Sequence, residues 1–219
     1  MEQEFLDAQR QQWQDAFLEM PEMFGSEVST PACKAAGLFR REGKTNVLEL
    51  GCGQGRDTIW FARNGLHVTA LDYSTQGLGA IDAKARELNL SHLIVTKIHD
   101  VRKPLPFADE TFDACYSHML FCMALTSAEI EFLSDEIRRV LKPGGLNVYT
   151  VRNTSDAHCR TGIHRGEDMW EIGGGFIVHF FSREKVERLA EGYEIVSIEE
   201  FEEGEVLKKL FAVTLRKIR

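Results

Sequence analysis

The residues best suited to holding a ligand lie in the stretch Asn46–Gly55, where a short apolar run is followed by three glycines at alternate positions. Glycine has no Cβ atom, so the backbone at Gly51, Gly53 and Gly55 can adopt positive φ and approach a bound molecule closely. Glu49 interrupts the apolar run near its C-terminal end, the end of a strand at which open α/β sheets bind their ligands. The pattern therefore predicts a nucleotide-type cofactor site.

The spacing of these glycines argues against a bound dinucleotide. Dinucleotide-binding loops carry glycines at their first, third and sixth positions, which places the pyrophosphate at a helix N-terminus. In this chain the third glycine is at the fifth position, Gly55, and Arg56 takes the sixth. An arginine can face a phosphate, so an NAD-type oxidoreductase stays open as an alternative. A P-loop is excluded because no Gly-Lys-Ser/Thr sequence follows.

Acidic residues also stand at the ends of the next two predicted strands. Asp72 follows the second strand, where its carboxylate could accept hydrogen bonds from both hydroxyls of a ribose or could instead cap the next helix. Asp100 ends the third strand, where it could accept a hydrogen bond from an adenine amino group while Val101 forms an apolar wall. Tyr73 could pack on the same adenine, or it could only fill the loop. Together these residues favour a ligand with a ribose and an adenine.

Strand four brings further polar residues to the same edge. Ser117 and His118 end this strand, and we expect Ser117 to contact the cofactor. Histidine titrates near neutral pH, so His118 is the candidate general base, and the alternative is a histidine that only hydrogen-bonds to the backbone. A base is needed only if the acceptor carries a proton at neutral pH.

The segment after strand five, residues 152–181, has no regular period and is predicted to cover the substrate. Arg152 and Trp170 in this segment could bind an anionic or aromatic acceptor, and they could equally belong to a solvated loop. The histidines and the cysteine of this region have none of the compact spacings of a metal site, so we predict no metal. They are His158, Cys159, His164 and His179.

The N-terminal segment carries large apolar residues that form a stripe at helical spacing. They are Trp13, Phe17, Met20, Met23 and Phe24. A helix with this stripe could close over the crevice as a lid, with Trp13 and Phe24 against the substrate. It could also simply pack on the edge of the sheet.

The elements that position these residues alternate between strands and helices. Predicted strands cover 46–50, 67–71, 93–99, 112–117, 146–151, 193–201 and 210–217. Predicted helices cover about 6–20, 31–41, 56–64, 74–88, 126–140 and 182–191. Such alternation indicates an α/β fold with a doubly wound, mostly parallel sheet and helices on both faces. The last two strands, which a Glu/Gly-rich connection joins, are predicted to form an antiparallel hairpin.

Length and composition limit the classes of protein to which the chain could belong. A chain of 219 residues with 43% hydrophobic and 27% charged residues is sized for one α/β domain. The formal charge of −8 disfavours nucleic acid as the main partner, because phosphate binding needs a basic face. No apolar run is long enough to span a membrane, and the polar N-terminus does not resemble a signal peptide. Five scattered cysteines without a C-x-x-C pair are typical of a reduced, cytoplasmic protein.

Five sequence motifs follow one another between about residues 44 and 151. They are Glu49-Leu50-Gly51-Cys52-Gly53-Gln54-Gly55, Asp72, Asp100-Val101, the run from Leu105 to Asp113, and Leu141-Lys142-Pro143-Gly144-Gly145. In this order they resemble the motif set of class I S-adenosylmethionine-dependent methyltransferases. The run from Gly53 to Asp57, with Trp60, is similar more narrowly to the tellurite-resistance and thiopurine methyltransferase branch.

The resemblance implies a fold, a cofactor and roles for the motif residues. The fold would be a seven-stranded sheet with an antiparallel last strand, and the cofactor S-adenosylmethionine, with S-adenosylhomocysteine as product. The backbone of Gly51 and Cys52 would contact the methionine part of the cofactor. Asp72 would bind the ribose and Asp100-Val101 the adenine, while Glu49 would support the methionine end directly or by orienting the loop.

Within a single domain, residues 1–219, four segments are predicted. An N-terminal helical cap covers 1–43 and a cofactor-binding core covers 44–151. A substrate-cover insertion follows at 152–181, and a C-terminal helix and hairpin complete the domain at 182–219.

We therefore expect a methyltransferase that acts on a small molecule by in-line displacement. No D/N-P-P-Y/F tetrapeptide follows strand four, so an exocyclic nitrogen of nucleic acid is a less expected acceptor. Oxygen, sulfur, metalloid and other nitrogen acceptors stay open. The alternatives are a non-catalytic protein that binds the cofactor as a sensor or partner subunit, and the NAD-type oxidoreductase.

Overall fold

A seven-stranded sheet forms the centre of the computed structural model, which describes residues 3–204 and 207–218. The strands are β1 Asn46–Leu50, β2 His67–Asp72, β3 Ile94–Ile98, β4 Phe112–His118, β5 Leu141–Arg152, β6 Ile163–His164, β7 Met169–Glu171, β8 Ile177–His179, β9 Tyr193–Glu203 and β10 Lys208–Lys217. The helices are α1 Gln3–Glu19, α2 Thr30–Arg41, α3 Arg56–Arg63, α4 Thr75–Glu87, α5 Ser127–Val140 and α6 Arg183–Leu189, with a 3₁₀ turn at Gly173–Gly175. Residues 1, 2, 205, 206 and 219 of the predicted cap and hairpin lie outside the described ranges.

The order of strands in the sheet is β3-β2-β1-β4-β5-β10-β9. Strands β1 to β5 run parallel to one another, whereas β10 runs antiparallel to both β5 and β9. This confirms the predicted doubly wound sheet with an antiparallel last strand. The order changes direction between β1 and β4, and such a switch point leaves a crevice at the C-terminal ends of the strands.

Helices cover both faces of the sheet, because the side chains of each strand alternate between the two faces. Val47 of β1 packs with Phe39 of α2 and Phe61 of α3 in one core. Its neighbour Leu48 belongs to a second core, together with Ile137 of α5. All five side chains are completely buried. Burial of each contributes about 1.5–3 kcal/mol, so these two cores hold the three layers together.

Side-chain caps determine where the helices next to the crevice begin. Ser74 accepts a hydrogen bond from the backbone N–H of Gly77 at 3.2 Å, which starts α4 directly after β2. Thr126 and Glu129 form a capping box at α5, in which each side chain accepts from the backbone N–H of the other residue. The chain between each strand end and the following helix is thereby held at the sheet edge.

Strand β5 begins at Leu141 rather than at the predicted residue 146. Leu141 already pairs with Phe112 of β4 directly after α5, and the register shifts before the regular pairing resumes. Gly144 has a φ of 69°, and a Cβ atom at Gly145 would lie 2.8 Å from the carbonyl oxygen of Lys142. The Lys-Pro-Gly-Gly sequence is therefore an irregular turn within the strand and not only a helix stop.

The segment 152–181 contains a small antiparallel sheet, β6-β7-β8, although its sequence shows no period. These strands have only two or three residues, which is too short for alternation to be recognised. The backbone N–H of His179 in β8 donates to the carbonyl oxygen of Cys122 at 2.9 Å. This hydrogen bond ties the small sheet to the loop after β4.

The structure shows the state of the cysteines and the character of the helices. All five cysteines are free thiols, and three of them, Cys52, Cys115 and Cys122, are buried. Burial raises the pKa of Cys122 to about 11, so this thiol stays protonated and packs as a small apolar side chain. Across residues 3–204 and 207–218, no helix is both long and apolar enough to cross a membrane.

Candidate functional site

A cavity of about 1140 Å³ opens at the C-terminal ends of β1 to β4, beneath α1 and beside the small sheet. A pocket for one small ligand typically has about 300–1,000 Å³, so this cavity has room for a cofactor and a second molecule. The predicted site residues on its wall are Trp13, Phe24, Glu49, Gly51, Cys52, Gly53, Gly55, Asp72, Tyr73, Asp100, Val101, His118 and Arg152. Ser117 and Trp170 do not line it.

The glycine loop after β1 has the left-handed backbone that its sequence predicts. Gly51, Gly53 and Gly55 have φ values of 67°, 53° and 83°. A Cβ atom at Gly55 would overlap the side chain of Ile81 in α4, and one at Gly51 would lie 3.0 Å from Leu120. These glycines are therefore required both by the turn and by close packing of the neighbouring elements.

Asp72 organises the glycine loop with both carboxylate oxygens. Its Oδ2 accepts from the backbone N–H of Gly53 at 2.9 Å, and its Oδ1 accepts from the N–H of Ser74 at 2.8 Å. Burial raises the pKa of Asp72, although these backbone donors act in the opposite direction. Ser74 and not Asp72 caps α4, so the second of the two sequence interpretations of Asp72 is wrong.

Glu49 is a buried carboxyl group inside an acidic cluster. The hydroxyl of Thr58 donates to its Oε2 at 2.6 Å. Burial, and then the charge of Asp57, raise the pKa of Glu49 well above its ordinary value. Asp57 is itself held by Ser29, whose backbone N–H and hydroxyl donate to it at 2.9 and 2.7 Å. A cation placed in this part of the cavity would relieve the repulsion between these carboxylates.

Asp100 stands at the end of β3 and pairs with Arg102, which the sequence interpretation did not include. The Nε of Arg102 lies 3.0 Å from Oδ1, and its Nη2 lies 2.7 Å from Oδ2. Burial would raise the pKa of Asp100, but the hydrogen bonds and the charge of Arg102 lower it overall. Arg102 also contacts Asp7 of α1 at 2.7 Å, which connects this corner of the cavity with the helix above it. Val101 and Tyr73 line the same corner.

An NAD-type oxidoreductase stayed an alternative because Arg56 could face a phosphate. The guanidinium group of Arg56, however, is already engaged in contacts with the protein. Its Nη1 donates to the carbonyl oxygen of Phe24 at 2.9 Å. Other nitrogens of the guanidinium lie 3.7 Å from Asp57 and 3.9 Å from Glu203. These contacts direct Arg56 towards the protein, which counts further against a bound pyrophosphate.

His118 lines the cavity, but Nδ1 contacts a protein hydroxyl and Nε2 is buried without a hydrogen bond. Nδ1 lies 2.8 Å from the hydroxyl of Thr150, and Nε2 lies 3.0 Å from Oε2 of Glu203. This geometry gives no support to a histidine that takes a proton directly from a substrate. Ser117 is completely buried, and its register partner Tyr149 belongs to the core on the α5 side. Ser117 therefore points away from the cavity, whereas the next residue of the strand, His118, lines it.

The predicted substrate residues differ in whether they line the cavity. Trp13 lies on the cavity wall, with its ring centroid 4.6 Å from that of Phe176 at an interplanar angle of 47°. Arg152 also lines the cavity, but its Nη2 and Nε contact Asp156 at 2.5 and 3.1 Å. Trp170 packs on His164 at 4.6 Å within the small sheet, away from the cavity. Met169, the preceding residue of β7, is buried, whereas Trp170 is half-buried and does not line the cavity.

The histidines and the cysteine of the cover segment do not cluster. His158 contacts Arg152, His164 contacts a backbone carbonyl, and His179 lies against Lys185 in the interior. Within the described ranges, no group of three or more His, Cys, Asp or Glu side chains is arranged to hold a metal ion. Burial is the main cause that lowers the pKa of His179.

The chain has detectable relatives. Residues 47–145 match the family described as a methyltransferase domain. The methyltransferase phqN of Penicillium fellutanum is 31% identical over 158 residues, which cover 70% of this chain and 47% of that protein. An uncharacterized methyltransferase of Synechocystis, sll0829, is 31% identical over 100 residues, 46% of this chain and 43% of that protein. The chain thus spans less than half the length of these relatives.

Solved structures share the fold at low identity. The 1,6-didemethyltoxoflavin-N1-methyltransferase of Burkholderia thailandensis, with bound 1,6-didemethyltoxoflavin and S-adenosylhomocysteine, has a TM-score of 0.77 at 16% identity and covers 100% of this chain and 91% of that chain. TehB of Haemophilus influenzae has a TM-score of 0.70 at 17% identity, and the match covers 94% of this chain and 67% of that chain. Residues 47–145 are thus similar in sequence to a methyltransferase domain, and the chain shares its fold with these solved structures.

Proposed function

We propose that this chain binds S-adenosylmethionine and transfers its methyl group to a small-molecule acceptor by in-line displacement. The observation that carries the proposal is the set of carboxylates Glu49, Asp72 and Asp100, which stand at the ends of three adjacent parallel strands and line one cavity. These carboxylates would serve the hydrogen-bonding groups and the positive charge of this cofactor.

The residues present fit the cofactor part by part. Asp72 would accept hydrogen bonds from the ribose hydroxyls, because each of its oxygens keeps a lone pair beyond the one that its backbone donor uses. Asp100-Val101 and Tyr73 would surround the adenine. The backbone of Gly51-Cys52, with Glu49 behind it, would hold the methionine part. S-adenosylmethionine supplies an electrophilic methyl group on a positively charged sulfur, and the buried acidic cluster suits that charge.

The protein's own contribution to transfer would be alignment and exclusion of water. Helix α1 lies over the cavity and is attached to its rim, since the side chain of Gln54 donates to the carbonyl oxygens of Phe17 and Met20 at 3.3 and 3.1 Å. Holding the acceptor in line with the methyl group can contribute roughly 7–11 kcal/mol towards the barrier.

Other observations support a small acceptor. The structural relative from Burkholderia thailandensis is named for a small molecule, and its fold covers this whole chain. The cavity is enclosed by α1 and the small sheet, and the negative charge of the chain disfavours nucleic acid. The free thiols support a cytoplasmic location.

Titration calorimetry tests the cofactor assignment. We expect S-adenosylmethionine and S-adenosylhomocysteine to bind and NADH not to bind. Binding of NADH alone would overturn the proposal in favour of an oxidoreductase. If the cofactor binds but no acceptor in a broad panel yields S-adenosylhomocysteine, the non-catalytic alternative is favoured instead.

A further inference from the structure

Carboxylates and cations line the cavity below different strands of the sheet, and Arg102, which pairs with Asp100, also lies on its wall. Glu49, Asp72 and Asp100 line the half below β1, β2 and β3. Arg152 of β5 and Lys208 of β10 line the half beyond β4. Opposite charges on two sides of one cavity attract ligands of opposite charge to different positions. A cationic cofactor therefore leaves the basic half for a second molecule.

Strand register brings the basic residues together on one face of the sheet. Partners in an antiparallel pair project to the same side, and so do residues two apart in one strand. Arg152 is the partner of Leu210, and Lys208 lies two residues before Leu210, so both cations project from one face. Lys208 is in turn the partner of Glu203, which contacts His118. The polar side chains of β4, β5, β10 and β9 thus lie on one face of the sheet near the cavity, in successive rows of the register.

The two cations have different partners. Arg152 uses Nε and Nη2 for Asp156, whereas its Nη1 has no hydrogen-bond partner in the described part of the chain. Lys208 is half-buried and forms no ion pair with any residue in 3–204 or 207–218. The neighbouring Lys209 is exposed and lies 3.9 Å from Glu202. Lys208 therefore brings to the cavity an ammonium group that has no direct ion pair within the described ranges, with Glu203 as its nearby counter-charge, and Arg152 brings an N–H group without a hydrogen-bond partner there.

The rest of this half is apolar and largely aromatic. The ring of Trp13 lies 4.6 Å from that of Phe176 and 6.2 Å from that of Phe24. Leu120 and Met123, from the loop after β4, line the same region. Aromatic rings and thioethers offer favourable contacts to a flat apolar molecule.

The surroundings of His118 also bear on the acceptor. Nδ1 contacts the hydroxyl of Thr150, and Nε2 is buried 3.0 Å from Glu203, so neither nitrogen is exposed to a substrate proton. An acceptor that is already an anion at neutral pH requires no general base.

We propose that the acceptor is a planar, mainly apolar molecule that is anionic at neutral pH, with its anionic group bound by Lys208 and Arg152. An aromatic carboxylate or an acidic enol has this chemistry. The proposal rests on the methyltransferase function proposed above and names its substrate class.

The test uses the full chain saturated with S-adenosylhomocysteine and two probes of the same shape, naphthoate, which is an anion, and naphthamide, which is neutral. By calorimetry we expect naphthoate to bind about tenfold more tightly than naphthamide. Lys208→Gln should remove this preference while leaving the affinity for naphthamide and for S-adenosylhomocysteine unchanged. Lys209→Gln is the matched control and should keep the preference, because Lys209 does not line the cavity.

Three results would overturn the proposed acceptor class. They are naphthamide binding as tightly as naphthoate, a preference that survives Lys208→Gln, and the failure of both probes to bind the S-adenosylhomocysteine complex. Each of them leaves the methyltransferase proposal standing, because the cofactor is bound in all three. Failure of S-adenosylmethionine and S-adenosylhomocysteine to bind is a separate result and contradicts the proposed function itself.

Discussion

The Nε2 atom of His118 lies 3.0 Å from the Oε2 atom of Glu203, so the end of β4 is joined to the β9–β10 hairpin. The contact has the distance of an ion pair without the alignment of a hydrogen bond. On the other side of the ring, the hydroxyl of Thr150 contacts Nδ1 and also accepts from the backbone N–H of Met119 at 2.9 Å. His118 is thereby a residue that positions the hairpin beside the cavity.

Replacing Glu203 with glutamine tests this connection. Burial would raise the pKa of Glu203, but the contact with His118 and the nearby charges of Arg56 and Lys208 lower it below the ordinary 4.5. A carboxyl group with a lowered pKa stabilises the folded state above its unfolded pKa and loses this contribution as the pH falls through its folded pKa. We expect Glu203→Gln to lower the free energy of unfolding by about 1 kcal/mol at pH 7 and by less at pH 3.5.

Urea titrations at the two pH values measure this effect. Glu200→Gln, at an exposed position of the same strand, is the control and should change stability little at either pH. An equal loss for Glu203→Gln at both pH values would show that the contact with His118 contributes no charge-dependent stability.

Asp72→Asn is expected to weaken cofactor binding by disordering the glycine loop. Asparagine keeps one carbonyl oxygen, but its amide would face one of the two backbone N–H groups, of Gly53 and Ser74, that now donate to the carboxylate. An unsatisfied buried donor costs about 1–3 kcal/mol, which corresponds to roughly a tenfold to hundredfold loss of affinity. Calorimetry with S-adenosylhomocysteine measures it. Asp135→Asn, on the exposed side of α5, is the control and should bind S-adenosylhomocysteine like the wild type. An unchanged affinity in Asp72→Asn would contradict the role of Asp72 in ordering the glycine loop.

Glu49→Gln should affect binding of the cofactor, whose sulfur is charged, more than binding of its product, whose sulfur is neutral. A cation favours the ionised form of Glu49, and glutamine cannot release a proton to become an anion. The variant should therefore bind S-adenosylmethionine about tenfold more weakly and lose less affinity for S-adenosylhomocysteine, because only the former carries a positive sulfur. Glutamine can still accept the hydrogen bond from Thr58. Calorimetry with both compounds gives the ratio, and equal losses for the two would argue against a role of Glu49 next to the sulfur.

The same variant should also change stability. Since the pKa of Glu49 is raised above the ordinary 4.5, the folded wild type holds a proton that the unfolded chain releases, and its stability falls as the pH rises towards the folded pKa. Glu49→Gln lacks this decrease. We expect the stability of the variant relative to the wild type to rise between pH 5 and pH 8, as measured by urea titration. Glu131→Gln, an exposed change in α5, controls for the loss of a charge.

The cofactor half of the site could be predicted because its residues are encoded locally. Gly51, Asp72 and Asp100 each follow an apolar run that marks a strand, and parallel strands bring their C-terminal ends to one edge. At the end of β4 the local sequence no longer determines which side chain faces the cavity. Which of Ser117 and His118 faces the cavity depends on their partners in β5, and no pattern within β4 determines that pairing.

The acceptor half could not be predicted because its residues come from separate elements. Only the register of β9 and β10 with β5 brings Lys208 to the cavity and Glu203 to His118. Phe176 belongs to a segment whose strands are too short to show a period. The sequence pattern did identify the apolar face of α1, but the contact of Trp13 with Phe176 is a tertiary one.

The attachment of α1 to the small sheet can be tested at one amide. Gln9 is almost completely buried, accepts from the backbone N–H of Ile177 at 3.0 Å and donates to the carbonyl oxygen of Gly175 at 3.1 Å. Gln9→Ala should expose the Ile177 amide and speed its hydrogen exchange about three- to tenfold, the value of one hydrogen bond. Gln11→Ala, which removes only a contact with Asp15 on the outer side of α1, should leave that rate unchanged.

The pair of Arg152 and Asp156 beside the acceptor half gives the largest expected effect on stability. Both side chains are buried, and the backbone N–H groups of His158 and Lys209 also donate to Asp156. Arg152→Met leaves a buried carboxylate without its cation and should lower the free energy of unfolding by about 3–5 kcal/mol at pH 7. Burial opposes the lowering of the Asp156 pKa that Arg152 and the backbone donors cause, so loss of the arginine should move that pKa upward.

This upward movement sets the pH dependence of the defect. In Arg152→Met the carboxyl group of Asp156 should take up a proton as the pH is lowered, and the difference from the wild type should therefore shrink towards pH 4. The double variant with Asp156→Asn has no charge left to bury and should regain part of the stability at pH 7. Urea titrations of the wild type, both single variants and the double variant at pH 7 and pH 4 form the complete cycle. If the double variant is destabilised by the sum of the two single changes, the two side chains do not act as a pair.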